Sequence, residues 1–150
     1  MTRMMKLRWA SVFFTAIGLA DSIYLTYIKV AHKLAACSTI GDCESVNNSV
    51  YSEIGGIPIA LLGAGAYLLI LLVLLLEGRL EILQKHGPQI VYGITLIGVL
   101  YSAYLTYVEI AILRAVCPYC VASAITITIV FVLNLIRLFG EHSDTLVEAE

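Results

Sequence analysis

The four cysteines are the residues of this chain whose types and spacing could do chemistry, and they fall into two pairs. Cys37 and Cys43 lie in "CSTIGDC", and Cys117 and Cys120 in "CPYC". The second pair opens an uncharged run, so its first sulfur would meet the unpaired amides and positive dipole end of a helix, an environment that favours thiolate. Pro118 suits that first turn, where a missing N–H costs nothing. Cys117 is therefore expected to be the exchangeable sulfur and Cys120, one turn inside, the deeper one. A deep thiol beside lipid suits a lipid-soluble electron acceptor such as a quinone, which can reach a site between helices from within the bilayer. The wider pair, on a loop, could meet a soluble dithiol partner and pass its electrons inward by thiol–disulfide exchange. Two other uses of four thiols stand beside this relay. They could staple the outer loops as static disulfides, although a CxxC bridge at a helix end constrains little. They could also hold an outer-face metal, although CSTIGDC is wider than a zinc knuckle and only His32 lies near in sequence.

The elements that must position these pairs are helices in a membrane. Of the 150 residues 60% are apolar and only 13% charged, with a mean hydropathy of +0.92, against roughly a quarter charged in soluble domains. A net charge of −2 leaves no basic field for a nucleic-acid backbone. Gly87 to Val108 and Cys117 to Ile136 are uncharged, and at about 1.5 Å per residue each covers roughly 30 Å, the hydrocarbon thickness. Ile59 to Leu76 begins just after Pro58 and ends at Glu77-Gly78-Arg79. The fold class expected is all-α, an integral membrane four-helix bundle in a single domain, with helices over about 9–30, 59–76, 87–110 and 118–138. The acidic stretch 141–150 is expected to be a disordered cytoplasmic tail.

The first helix begins like a cleavable secretory signal, with a basic start, a short apolar core and small residues near Ala20. An internal repeat argues that it stays. Shifted by eighty positions, "TAIGLADSIYLTYIKV" (Thr15 to Val30) overlays "TLIGVLYSAYLTYVEI" (Thr95 to Ile110) with eight identities, and Cys37 falls on Cys117. Helix 1 thus resembles helix 3 and should remain in the bilayer with it. Arg3, Lys6, Arg8, Arg79, Lys85 and Arg137 fall on one side of the four spans, Lys29, Lys33 and Arg114 on the other. The excess places both termini in the cytoplasm, and both cysteine pairs at the outer face, periplasmic or exoplasmic, where disulfides persist.

A basic N-terminus, a helix ending in "YLTY", a two-cysteine loop followed by Ser49, then "GGIP" and a CxxC opening the last helix form a recognisable combination. It resembles the vitamin K epoxide reductase family, in its bacterial branch, over about Trp9 to Leu138. The resemblance implies oxidation of protein thiols coupled to quinone reduction, in support of disulfide bond formation, at a bacterial inner membrane. It implies that Cys37 accepts electrons from a thioredoxin-like or DsbA-like protein, that Cys43 hands them to Cys117, and that Cys120 faces the quinone, ubiquinone or menaquinone. Ser49 matches the loop serine or threonine that supports the transfer; its alternative is a hydroxyl capping a short loop helix. Many bacterial relatives carry a further helix and a fused thioredoxin-like domain, so here the partner is expected to be a separate protein. The animal enzymes place a tyrosine four residues after the last cysteine of CxxC, where this chain has Ala124, and that favours a respiratory quinone over vitamin K epoxide. A convergent alternative, the bacterial disulfide-bond formation protein B, would carry its CxxC on the first loop. An alternative of another class is a membrane scaffold or transport subunit with structural disulfides.

Other residues are set in this frame. Asp21 lies about 16 Å below His32 on a regular helix, where an acid is either part of a proton route or a neutral group hydrogen-bonded to a neighbouring helix. Tyr101, Tyr104 and Tyr107, echoed by Tyr24 and Tyr27, either line the quinone cavity, with Tyr104 and Ala124 beside Cys120, or anchor the bundle at the headgroup level. Gly18, Gly63, Gly65 and Gly98 are expected to permit close helix contact. "NNS" at Asn47 to Ser49 matches a glycosylation acceptor.

Overall fold

The computed structural model describes residues 2–33 and 41–148, with side chains through residue 140. Cys37 lies outside the described residues. Helix α1 (Arg3–Val30) leads to the short α2 (Cys43–Asn47), a 3-10 turn (Val50–Ser52) and two strands, β1 (Glu53–Ile54) and β2 (Ile57–Pro58). Helices α3 (Ile59–Leu76), α4 (Glu81–Tyr107) and α5 (Pro118–Glu148) follow, α4 running directly into a π-helical turn (Val108–Leu113). Four of these are long and apolar enough to cross a membrane: Arg3–Val30, Ile59–Leu76, Glu81–Leu113 with its π turn, and Pro118–Gly140. The chain is thus an all-α membrane helical bundle.

The packing closes a ring. α1 lies against α3 and α5, and α4 lies against the same two helices from the other side. Tyr67, Ile70, Val73 and Leu74 of α3 meet Val91 of α4 and Ile127 and Val130 of α5 at its centre. Outside, Leu61, Leu62, Leu68, Leu69, Leu72, Leu75 and Leu76 of α3 are exposed, a pattern that suits lipid as solvent. Inside, Ser11, Thr15, Thr95 and Asn134 are buried, where hydroxyls and amides can bond to backbone; the Asn134 amide donates to the Pro88 carbonyl at 2.8 Å.

The eighty-residue repeat has a packing meaning. Thr15 and Thr95 are matched and both fully buried. A Cβ on Gly18 would overlap the Tyr67 ring of α3, and one on the matched Gly98 would come within 3.0 Å of Ile127 of α5. Each copy of the repeat thus uses its glycine to seat one neighbouring helix. Gly63 stands in ordinary contact with Ser22, whereas Gly65 has nothing within 4 Å, so the contact expected of Gly65 is not made: it points away from the ring.

The helices exceed the uncharged runs. α1 starts at Arg3 and α4 at Glu81, because strong helix formers precede each run and the bundle tolerates Pro88 inside α4. α5 continues to Glu148, so the expected disordered tail is helical over 141–148; no proline interrupts it. The hairpin was not foreseen either. Gly55 and Gly56 have φ of 59° and 83°, the pair of positive values that a two-residue type I′ connection requires. At the end of the bundle away from the cysteines, Arg137 does not face solvent as an orienting charge but is buried in an ion pair with Glu77.

Candidate functional site

The site is built at the end of the bundle where α1 and α4 finish and α3 and α5 begin. Leu25, Ile28, Cys43, Val46 and Cys117 form a buried cluster there, with Tyr24, Leu113, Tyr119 and Cys120 packed on it. The Tyr119 ring of CPYC packs tilted against Tyr24 at 5.1 Å between centroids, tying the mouth of α5 to α1.

Two local devices bring the distant cysteines together. The Asp42 carboxylate caps α2, accepting from the Ser45 N–H at 3.0 Å and from its hydroxyl at 2.6 Å, and these bonds hold its acid below the usual carboxylate range. The Asp42 N–H in turn donates to the Val116 carbonyl at 3.2 Å. Gly41 lies against the same carbonyl, where a Cβ would overlap it and sit 2.9 Å from Pro118. The loop backbone is thereby fastened directly to the residue before Cys117. Lys29, near the end of α1, holds the other side of the loop: its ammonium donates to the Asn47 carbonyl at 2.6 Å and pairs with Glu53 at 3.1 Å.

The consequence is a sulfur contact. Cys43 and Cys117 are buried, and the Cys117 thiol donates to the Cys43 sulfur at 3.2 Å. Cys43 is disulfide-bonded, while Cys117 and Cys120 are free thiols. A hydrogen bond from the Cys120 thiol, and then the Cys120 and Tyr119 amides of the opening helix turn, hold the Cys117 thiol below its ordinary range against the opposing effects of burial and the Glu109 carboxylate.

Cys120 is only partly buried and lines a cavity of about 420 Å³ between α1, α3, α4 and α5, roofed by the loop. Its wall is mostly aliphatic, with hydroxyls from Tyr67, Tyr101 and Ser123; the Tyr67 hydroxyl donates to the Ser123 carbonyl at 3.0 Å. Exposed Leu62 and Ile97 stand at its edge between α3 and α4, so the cavity borders the lipid-facing surface. Ser49 also lines it, its hydroxyl donating to the Val46 carbonyl at 2.8 Å. Ala124 and Tyr104 are not among the lining residues: Ser123 and Tyr101, one residue and one turn earlier, occupy those stations, and Tyr104 is half-exposed. Tyr27 and Tyr107 are exposed at the same end. Asp21 leaves one carboxylate oxygen buried and unpartnered among the described residues; the interhelical hydrogen bond anticipated for it is absent at that atom.

Residues 9–135, most of the chain, match the Vitamin K epoxide reductase family. The chain belongs to the vitamin K epoxide reductase family. It is also 34% identical, over 110 residues, to the "Thiol-disulfide oxidoreductase LTO1" of Arabidopsis thaliana; the match covers 69% of this chain and 29% of that protein. The chain therefore spans under a third of that relative's length. The family match takes in α1, the loop, α3, α4 and the mouth of α5, and so includes both cysteine pairs.

Three contributors escape a reading of this family's cysteine spacing: Glu109, Lys29 and Gly41. Glu109 is buried, accepts from the Cys117 N–H at 3.1 Å, and lines the same cavity as Cys120. The repeat held a signal for two of them, since Lys29 and Glu109 are matched positions at a helix end, each charged and each fastening its helix to the segment that follows.

Proposed function

We propose that this protein is a membrane thiol–disulfide oxidoreductase that oxidises a separate thioredoxin-like or DsbA-like protein and delivers the electrons, through its two cysteine pairs, to a quinone. The observation that carries the reading is the 3.2 Å contact between the Cys43 and Cys117 sulfurs, with Cys120 lining an apolar cavity one helical turn away. Family membership and the activity in the relative's name support the same chemistry.

In the working direction the partner dithiol reduces the loop pair Cys37–Cys43, becoming a disulfide. Cys43 thiolate then attacks Cys117 in a Cys117–Cys120 disulfide; the Cys43–Cys117 bond forms and Cys120 leaves as thiolate. Attack of Cys37 on Cys43 releases Cys117 and leaves the inner pair reduced. The thiol contact at 3.2 Å is within the distance of a near-attack arrangement. A disulfide-bonded Cys43 beside free Cys117 and Cys120 thiols is the arrangement this transfer would leave.

The cavity fits a quinone head. Its volume of about 420 Å³ lies in the usual range for small-molecule sites, and its aliphatic wall with a few hydroxyls matches a flat ring bearing two carbonyls. A bound quinone supplies the acceptor for two electrons and two protons, from the two inner thiols. Cys120 presents the sulfur at the wall, Tyr101 and Ser123 offer hydroxyls, and the edge at Leu62 and Ile97 admits a lipid-soluble molecule from the bilayer. Ser49 shapes the roof through its bond to Val46. On this reading the cysteine end is exoplasmic, periplasmic in a bacterial inner membrane.

The test is quinone reduction by the purified protein in lipid nanodiscs, supplied with reduced thioredoxin and a soluble ubiquinone analogue. Wild type should turn over and Cys120→Ala should not. Equal rates would refute the proposal.

A further inference from the structure

Among the described residues, Glu109 is a buried carboxylate with no basic partner. Among the described residues the ion pairs are Lys29 with Glu53 and Arg137 with Glu77, both elsewhere. Only 3% of Glu109 is exposed, at a depth where an uncompensated charge is costly. The π turn holds it there. Its backbone carbonyl accepts the Ala115 N–H at 3.1 Å, and Arg114, in the left-handed region at φ 52°, reverses the chain so that Cys117 returns beneath it. One carboxylate oxygen accepts the Cys117 N–H. The same carboxylate and Cys120 line one cavity, and the electrostatics of each group registers the other as a hydrogen-bonding neighbour. The titratable groups that face it are Cys117 just before α5 and Cys120 on it, with Tyr51 of the loop, Tyr67 of α3 and Tyr101 of α4 across the cavity; Asp42 beside α2 and Glu44 on it are exposed.

We propose that Glu109 is the proton carrier of the inner cysteine pair, giving a proton to the Cys120 sulfur when that sulfur leaves and taking it back when Cys120 becomes the nucleophile. The step balances without any further reagent. When Cys43 thiolate attacks Cys117, the Cys43–Cys117 bond forms, the Cys117–Cys120 bond breaks, and the Cys120 thiolate takes the proton of the Glu109 carboxylic acid. In reverse, the Glu109 carboxylate removes the Cys120 proton, Cys120 attacks Cys117, and Cys43 leaves as thiolate. Two electrons move between sulfurs and one proton between sulfur and oxygen. The arrangement answers a specific difficulty: a thiolate released beside an apolar cavity is poorly solvated. The amide bond from Cys117 fixes the carboxylate, leaving its other lone pairs for the proton.

This inference rests on the relay reading but not on the quinone, so its test omits quinone. Fully oxidised protein in nanodiscs is mixed with reduced thioredoxin, quenched with acid, alkylated, and scored by mass spectrometry for reduction of Cys117–Cys120. Glu109→Gln keeps an oxygen acceptor for the Cys117 N–H but cannot carry a proton. It should slow inner-pair reduction on the order of a hundredfold and flatten its pH profile, and Glu109→Asp should restore part of the rate. Wild-type kinetics and profile in Glu109→Gln would overturn the proposal. Wild type that never passes electrons inward would overturn the relay and this proposal together, and a functioning wild type with an indifferent Glu109→Gln would overturn this proposal alone. Should Glu109→Gln fail to fold, the redox-difference infrared spectrum of wild type decides: a carboxylic-acid carbonyl band must change as the inner pair is reduced, and its absence would overturn the proposal.

Discussion

The Cys117 sulfur lies 3.2 Å from the Cys43 sulfur, although 74 residues separate them in the chain. The backbone of Gly41 and Asp42 is fastened to Val116, and Lys29 fastens the far side of the loop to α1. The two sulfurs are held in contact by the same main-chain atoms that end one segment and begin the next.

Gly41 should therefore govern the rate of exchange. A Cβ there would overlap the Val116 carbonyl, and displacing reacting atoms by about 1 Å can cost up to about a hundredfold. Gly41→Ala is predicted to slow Cys43–Cys117 exchange by about tenfold or more, read by quenched alkylation. Gly65→Ala, which meets nothing within 4 Å, should leave it unchanged.

The protonation of Cys117 gives a pH prediction with a definite sign. A thiol held below the ordinary value of about 8.5 keeps its thiolate as pH falls, so alkylation of Cys117 by iodoacetamide should have its midpoint below that value. The first cause of the shift is the hydrogen bond from Cys120. Cys120→Ala should move the midpoint upward, and a midpoint that stays put would assign the effect to the helix amides instead.

At the opposite end, Glu77 and Arg137 are buried as a pair. Removing one partner strands the other charge, so Arg137→Leu is predicted to cost about 3–5 kcal/mol. The double replacement Glu77→Leu with Arg137→Leu should recover most of that loss. Thermal unfolding of the purified protein in detergent checks both, and additive losses would contradict the pairing.

The helices were legible because the physics that forms them is local in sequence. Ile59 begins α3 right after Pro58, as a proline at a helix entrance dictates, and Gly18 and Gly98, expected to permit close helix contact, each sit against a neighbouring helix. The reach of the helices was less legible, since charge marks where lipid ends and not where hydrogen bonding ends; α1, α4 and α5 all continue past their apolar runs. Gly55-Gly56 within "GGIP" is a turn signal, since two consecutive glycines supply the two positive φ values a two-residue hairpin connection needs. Glu109 was the least visible. An acid at a helix end ordinarily faces water, and only the π turn, which shifts the register of the last residues of α4, turns it toward Cys117. Tyr101 and Ser123, which line the cavity where Tyr104 and Ala124 were expected, differ from them by one turn and one residue, an angular distinction that spacing alone does not resolve.

The sulfur contact itself can be tested most directly by trapping. With Cys120 replaced by serine, Cys117 attacks Cys43, the Cys43–Cys117 bond forms and, on the relay reading, the Cys37 thiolate is released; alkylation of that freed thiol leaves nothing to resolve the product. Peptide mapping of purified Cys120→Ser, alkylated without reduction, should find a Cys43–Cys117 disulfide as the main species. Cys117 recovered wholly as the alkylated free thiol, with Cys43 still in its original disulfide, would contradict the account.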